Sequence, residues 1–263
     1  MKLVENYITD TTDVFVTRDK PQKSFFRKET PKKIYVKSFN PAEFIGEELA
    51  SIKNIRCAHY FIVGLGRYKL DRNIPYGLIK DNDSIRIQIG SHNFEDPRFK
   101  YKELEDYDLS IGKAPMDAML NHTPTEENRR HLCMDILNMF ALDIYMGQVD
   151  RYSYNYKFEE DVDHNIRLAP LFDFEQSMSS LHESKVNFHP GELYRFNTLE
   201  DCRKFIHEYP MFRDILSSYL HVDLKEVIKR AYDKRNMIVP EERMEFYDKF
   251  ENSRDEIIER IVK

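Results

Sequence analysis

Up to about Gly90 the chain places apolar and aromatic residues in short runs with a period near two. Asp13-Val14-Phe15-Val16-Thr17 and Lys33-Ile34-Tyr35-Val36-Lys37 predict strands, with Ser24-Phe25-Phe26 as a third between them. Asn40-Pro41-Ala42-Glu43 then has the form of a helix start. Asn40 is the cap, Pro41 takes the first helical position, and Glu43 stands three residues after the cap. Ile45, Leu49 and Ile52 make one apolar stripe on that helix. His59–Val63, Tyr76–Lys80 and Ser84–Ile89 predict further strands, with Gly64 and Gly66 marking a turn.

Beyond Gly90 the period lengthens, and helices dominate from about Thr123. Thr123-Pro124-Thr125-Glu126 combines a cap, a first-turn proline and a capping-box glutamate. Leu132, Ile136, Met139, Phe140 and Ile144 keep helical spacing, and Gly147 can end that helix in the left-handed region. Tyr154–Phe158 and Ile166–Leu168 read as two short strands joined by the acidic turn Glu159–Asn165. Phe205–Leu220, Leu224–Met237 and Glu241–Val262 read as amphipathic helices. The pattern predicts an α+β, two-lobed protein: a strand-rich N-terminal lobe over 1–90 and a mainly helical lobe over 91–263. Ligands commonly bind in the cleft between such lobes.

Composition narrows the function classes. A chain of 263 residues with 41% hydrophobic residues, 18 Phe and 16 Tyr can build a sizeable core. Its net charge of −6 carries no nucleic-acid footprint, so DNA is not an expected partner. No apolar run approaches the ~18 residues of a membrane span. Cys57, Cys133 and Cys202 are too dispersed for a metal site or a disulfide framework, so a cytoplasmic location is expected.

The chemistry concentrates in Val149-Asp150-Arg151-Tyr152-Ser153-Tyr154-Asn155 and Leu168-Ala169-Pro170-Leu171-Phe172-Asp173-Phe174-Glu175. A carboxylate, an asparagine four intervening residues later, and a second carboxylate after an apolar run suit metal-assisted phosphoryl transfer. Asp150 would face the incoming hydroxyl. Asn155 and Asp173 would offer oxygens to Mg²⁺, which takes one or two carboxylates and completes its shell from phosphates. In the first lobe Lys37 ends an apolar strand and can lie against the nucleotide phosphates. Glu48 is the expected partner of Lys37, with Glu47 as the alternative. The first glycine is Gly46, so no glycine-rich loop precedes Lys37. Lys20 and Lys23, in Arg18–Ser24, are the substitute phosphate contacts.

Asp150-Arg151-x-x-x-Asn155 followed by Leu168–Asp173 resembles the core of HipA-like Ser/Thr kinases, an atypical kinase family. Lys33–Lys37, Glu47-Glu48-Leu49-Ala50 and Ile89–Phe94 add to the resemblance, which spans about Lys20 to Ser177. It implies a protein-kinase-like fold, ATP and Mg²⁺ as cofactors, and a protein substrate. It implies Asp150 as the catalytic residue, Asn155 and Asp173 as metal ligands, and Lys37 as the ATP-phosphate lysine. It further implies adenine contacts from the backbone of Gln88, Ile89 and Gly90. Tyr152 stands where these kinases often have histidine. Two alternatives remain: a small-molecule phosphotransferase of the aminoglycoside or choline kinase type, and a nucleotide-binding pseudokinase. Asp173-Phe174-Glu175 suits the first, although Gln148 replaces the histidine those enzymes usually carry two residues before the catalytic aspartate.

Overall fold

The computed structural model of the protein describes residues 3–9, 12–17, 34–38, 40–62, 88–92, 94–109, 114–178, 193–194 and 196–263. The strands expected at Ser24–Phe26 and Tyr76–Lys80, the Gly64/Gly66 turn, and Lys20 and Lys23 lie outside those residues. The first lobe is an antiparallel sheet of β1 (Leu3–Thr9), β2 (Thr12–Thr17), β3 (Ile34–Ser38), β4 (Tyr60–Ile62) and β5 (Gln88–His92). Its strand order is β1-β2-β3-β5-β4, so β5 is paired on both edges, with Lys37 opposite Ile89 and Val36 opposite Gly90. Strand β5 therefore runs through Gly90 to His92. Glycine weakens a strand interior by only about 1 kcal/mol, and ladders on both sides of Gly90 outweigh that.

Helix α1 (Pro41–Ile52) begins as its sequence requires: the Asn40 side chain accepts the Ala42 N–H at 3.0 Å and Pro41 opens the first turn. Ile45 and Leu49 are buried, but Ile52 is exposed, because the helix ends there and Asn54 turns the chain through a positive φ of 56°.

In the second lobe, β6 (Lys100–Lys102), β7 (Phe158–Glu160) and β8 (Ile166–Leu168) form a small antiparallel sheet. The strand expected to start at Tyr154 begins only at Phe158, because Ser153–Asn155 closes a 3₁₀ turn with Asn155 N–H on Tyr152 O at 2.8 Å. Helix α2 (Pro115–Asn121) precedes the central α3 (Glu126–Met146). The cap of α3 is Thr125, two residues after the expected Thr123, whose hydroxyl instead donates to Leu120 O at the end of α2. Gly147 stops α3 at φ 60°, and all five stripe residues of α3 are buried.

Four helices complete the lobe: α4 (Leu199–Glu208), α5 (Met211–Ser217), α6 (Leu224–Asp233) and α7 (Glu241–Val262). The helix expected across Phe205–Leu220 divides at Pro210, which cannot supply the N–H that continuation needs. Phe205 lies edge-on to Phe196 and to Phe212, each at 5.0 Å between ring centroids, and helps join α4 and α5 to α3. Helix α6 packs against α1 and so ties the lobes together. Among the described residues, no helix is long and apolar enough to cross a membrane.

Helix α7 stacks Glu251, Asp255 and Glu259 at four-residue intervals. Burial, then the carboxylates of Glu251 and Glu259, push the Asp255 carboxyl up to about 6 from 3.8. The folded chain thus holds this proton more tightly than the unfolded chain. The group costs stability as pH rises through that window, and at neutral pH the cost is complete. Asp255→Asn should therefore raise the urea-unfolding free energy by about 1 kcal/mol near pH 7, after solvent screening. The gain should vanish near pH 4. An equal gain at both pH values would contradict the assignment.

Candidate functional site

The site is assembled where α3 ends. Gly147 turns the chain, and Arg151 drives its guanidinium into the core with no exposed surface. Arg151 Nε and Nη2 donate to the two oxygens of Asp143, one turn from the end of α3, each at 3.0 Å. Arg151 Nη1 donates to Asn155 O at 2.8 Å and to Phe172 O at 2.5 Å. One side chain thus fastens the Asp150–Asn155 loop to α3 and to the strand exit that leads into Asp173. Burial pushes the Asp143 carboxyl above its ordinary value, and the Arg151 charge opposes that shift.

Gln148 makes the second fastening. Its Nε2 donates to Asp173 O at 2.8 Å, and its Oε1 accepts the Asp150 N–H at 3.3 Å. The two carboxylate-bearing residues are therefore held through one amide. Asn155 is buried, and its Nδ2 donates to Asp150 O at 2.6 Å, which directs its Oδ1 away from that bond. The Asp150 carboxyl is raised first by burial and then by the charge of Asp173; Arg151 and a hydrogen bond from Asn155 oppose the rise. The structure thus brings Asp150, Asn155 and Asp173 together, as their spacing suggested.

Asp173 adopts φ 62°, a left-handed conformation that costs a non-glycine residue free energy unless neighbours enforce it. The enforcement comes from the first lobe. Asp173 N–H donates to Tyr60 Oη at 2.9 Å, and Phe174 N–H donates to Glu43 Oε2 at 3.0 Å. The Tyr60 hydroxyl also hydrogen-bonds Glu43, and burial raises its pKa well above the usual phenol value. Asn40 Nδ2 reaches Glu175 O at 2.8 Å. Nearby, Ala58 N–H donates to Leu171 O at 2.7 Å and Leu171 N–H to Arg56 O at 2.9 Å, a parallel bridge across the lobes. The Phe174 ring lies so close to α1 that a β-carbon on Gly46 would fall 2.6 Å from it. The Arg151 guanidinium lies over the same ring, 5.1 Å from its centroid.

Lys37 lies in β3, opposite Ile89. Glu48 is buried and ion-paired with Lys234 beyond α6. Two residues, about 200° of helical turn, separate Glu48 from the Gly46 face that meets Phe174. Glu47 accepts the Tyr60 N–H at 2.9 Å and is ion-paired with Arg235. The α1 carboxylate at the Asp173 turn is accordingly Glu43, which the sequence presented only as a cap residue. Gln88, Ile89 and Gly90 lie inside β5, where the backbone of Ile89 and Gly90 meets strands on both sides.

Among the described residues, no group of three or more His, Cys, Asp or Glu side chains is placed to hold a metal. Asn155 and Asp173 present an amide oxygen and a carboxylate. The donor set of amide and carboxylate oxygen fits Mg²⁺.

No protein-family model and no curated protein matches the sequence. Solved structures do match the fold. HipA, in a Shewanella oneidensis MR-1 toxin–antitoxin complex of HipA, HipB and operator DNA, aligns with a TM-score of 0.56 at 12% identity. The match covers 86% of this chain and 58% of HipA, so the chain spans little more than half of that neighbour's length. CtkA, a proinflammatory kinase of Helicobacter pylori, aligns with a TM-score of 0.55 at 14% identity, covering 95% of this chain and 89% of CtkA. The chain has the two-lobed fold of HipA-like kinases.

Arg151→Met would leave Asp143 buried without its counter-charge and take a donor from the Asn155 and Phe172 carbonyls. Removing one partner of such a pair costs about 3–5 kcal/mol, which denaturant unfolding would read as a large fall in midpoint. Adding Asp143→Leu should return part of that stability. A loss below about 1 kcal/mol in the single variant would show that this pair does not fasten the loop.

Proposed function

We propose that this HipA-like kinase fold works as an ATP- and Mg²⁺-dependent phosphotransferase that acts on a serine or threonine hydroxyl of a protein. The observation that carries this reading is the convergence of Asp150, Asn155 and Asp173 on a loop fixed by Arg151 and Gln148. Phosphoryl transfer has a loose transition state, so the protein's task is positioning and charge neutralisation. Bound Mg²⁺–ATP supplies the electrophilic phosphoryl group.

In this reading Asp150 orients the acceptor hydroxyl and receives its proton. The raised affinity of its carboxyl for protons, set by burial and Asp173, suits a base. Asn155 Oδ1 and the Asp173 carboxylate hold the cation. Gln148 keeps the two carboxylate-bearing residues in fixed relation. Lys37, from a strand central to the first sheet, neutralises the nucleotide phosphates, and Lys20 and Lys23 add further charge there. The chain around Ile89 and Gly90 borders the base. Glu48 is assigned to joining α1 and α6 through Lys234, and Glu43 to holding the Asp173–Phe174 turn. The acceptor in this reading is a protein.

The test is transfer from γ-labelled ATP with Mg²⁺ to protein acceptors. Asp150→Ala should lower the rate by at least about 10²-fold, the span of a positioned base, while leaving nucleotide affinity within about twofold. Asp173→Ala should abolish the Mg²⁺-dependent gain in ATP affinity, read by titration calorimetry. Nucleotide binding with no turnover by the intact protein would sink the reading. Transfer confined to small hydroxylated compounds would replace the protein acceptor.

A further inference from the structure

The loop that carries Asp150 leaves an unusual amount of apolar surface in solvent. Val149 is 42% exposed, Tyr152 42% and Tyr154 59%. The two tyrosine rings stack, with centroids 5.7 Å apart and planes 22° from parallel. They follow Asp150 closely in the chain, on the same loop. The fold gains little from this pair, because neither ring enters the core. Tyr152 and Tyr154 bracket Ser153, whose hydroxyl donates to Glu105 Oε1.

Glu105 belongs to the 3₁₀ turn Leu104–Asp106, and Glu103, Asp106 and Asp108 are exposed around it. Glu103 and Asp106 close that turn's own cap. Among the described residues, Lys102 is paired with Glu160 and Lys157 with Glu95. Among the described residues, the Asp150 loop thus carries an aromatic shelf with an anionic rim.

We infer that Tyr152, Tyr154 and Glu105 form a specificity subsite that receives an arginine side chain lying next to the acceptor residue of a protein segment. Arginine fits both halves of the site. Its planar guanidinium stacks on a tyrosine face, and its edge donates to a carboxylate in fixed geometry. Lysine has the charge but neither the plane nor the fork. A glutamate at the same place would meet the rim with like charge. The inference rests on the phosphotransferase reading for what the shelf serves, and on the loop geometry for what it binds.

Binding alone can test it. Fluorescein-labelled peptides with alanine in the acceptor place, and arginine, glutamine or glutamate beside it, would be titrated by anisotropy against the intact protein with Mg²⁺ and ATP. The arginine peptide should bind at least about tenfold tighter than the glutamine peptide, and the glutamate peptide weakest. The Tyr152→Ala/Tyr154→Ala double variant and Glu105→Gln should each remove most of that preference. Tyr154→Phe, which keeps the stack, should retain it. Because the exposed rings lie outside the core, melting temperatures of these variants should stay near that of the parent. Equal affinity for the arginine and glutamine peptides, or a preference that survives both disabling variants, would overturn the subsite. The same peptides with serine restored, given labelled ATP, separate the two readings. Arginine-dependent binding without transfer would refute the phosphotransferase and leave the subsite standing. Transfer indifferent to arginine would refute the subsite alone.

Discussion

A fully buried guanidinium is the constraint on which this site depends. Arg151 cannot be left uncharged, and an unpaired charge in the core would cost several kcal/mol. The fold must therefore bring it a carboxylate and enough carbonyls to use its donors. Asp143 supplies the first, and Asn155 and Phe172 supply the second. Each partner lies on a different part of the site: the end of α3, the loop after Asp150, and the exit from β8. Satisfying one side chain thus fixes three backbone segments against each other. Rigid support of this kind is what a reaction governed by positioning requires.

The first lobe contributes by the same logic of satisfied polar groups. The left-handed turn at Asp173 frees two N–H groups that no local strand can accept. Tyr60 and Glu43 accept them from across the lobe boundary. Phe174 then packs against both Gly46 and Arg151. A shift of α1 relative to α3 would disturb the carboxylate pair through this contact. Lobe arrangement and the Asp150–Asp173 geometry are thereby coupled through backbone hydrogen bonds and one aromatic ring.

Much of this was legible locally. The Asn40–Pro41 start and the Gly147 stop follow from caps and period, because each depends on neighbours within a turn. The Asp150, Asn155 and Asp173 spacing was legible for a similar reason. The fastening residues were not. Arg151 reads as an ordinary loop cation until its burial is known. A faint signal existed in Asp143, a carboxylate inside the apolar run Ala141-Leu142-Asp143-Ile144, which demands a buried partner. Gln148 drew notice only as a missing histidine, although its amide performs the bridging. Glu43 shows the limit of helical periodicity: a partner more than a hundred residues away decides where its carboxylate points.

The glycine that ends α3 has a consequence for how this molecule can vary. Asp143 and Arg151 meet only because a fixed number of residues separates them, four in the helix and its stop and the rest in the loop. One residue inserted between Asp143 and Gly147 would rotate everything after it by about 100° and advance it by about 1.5 Å. The fork would then open and the carboxylates would part. Helix α3 therefore acts as a ruler whose last graduation cannot move. Insertions and deletions that exposed loops absorb should be excluded from Asp143 to Asn155, and length, more than residue identity, is what this stretch must conserve.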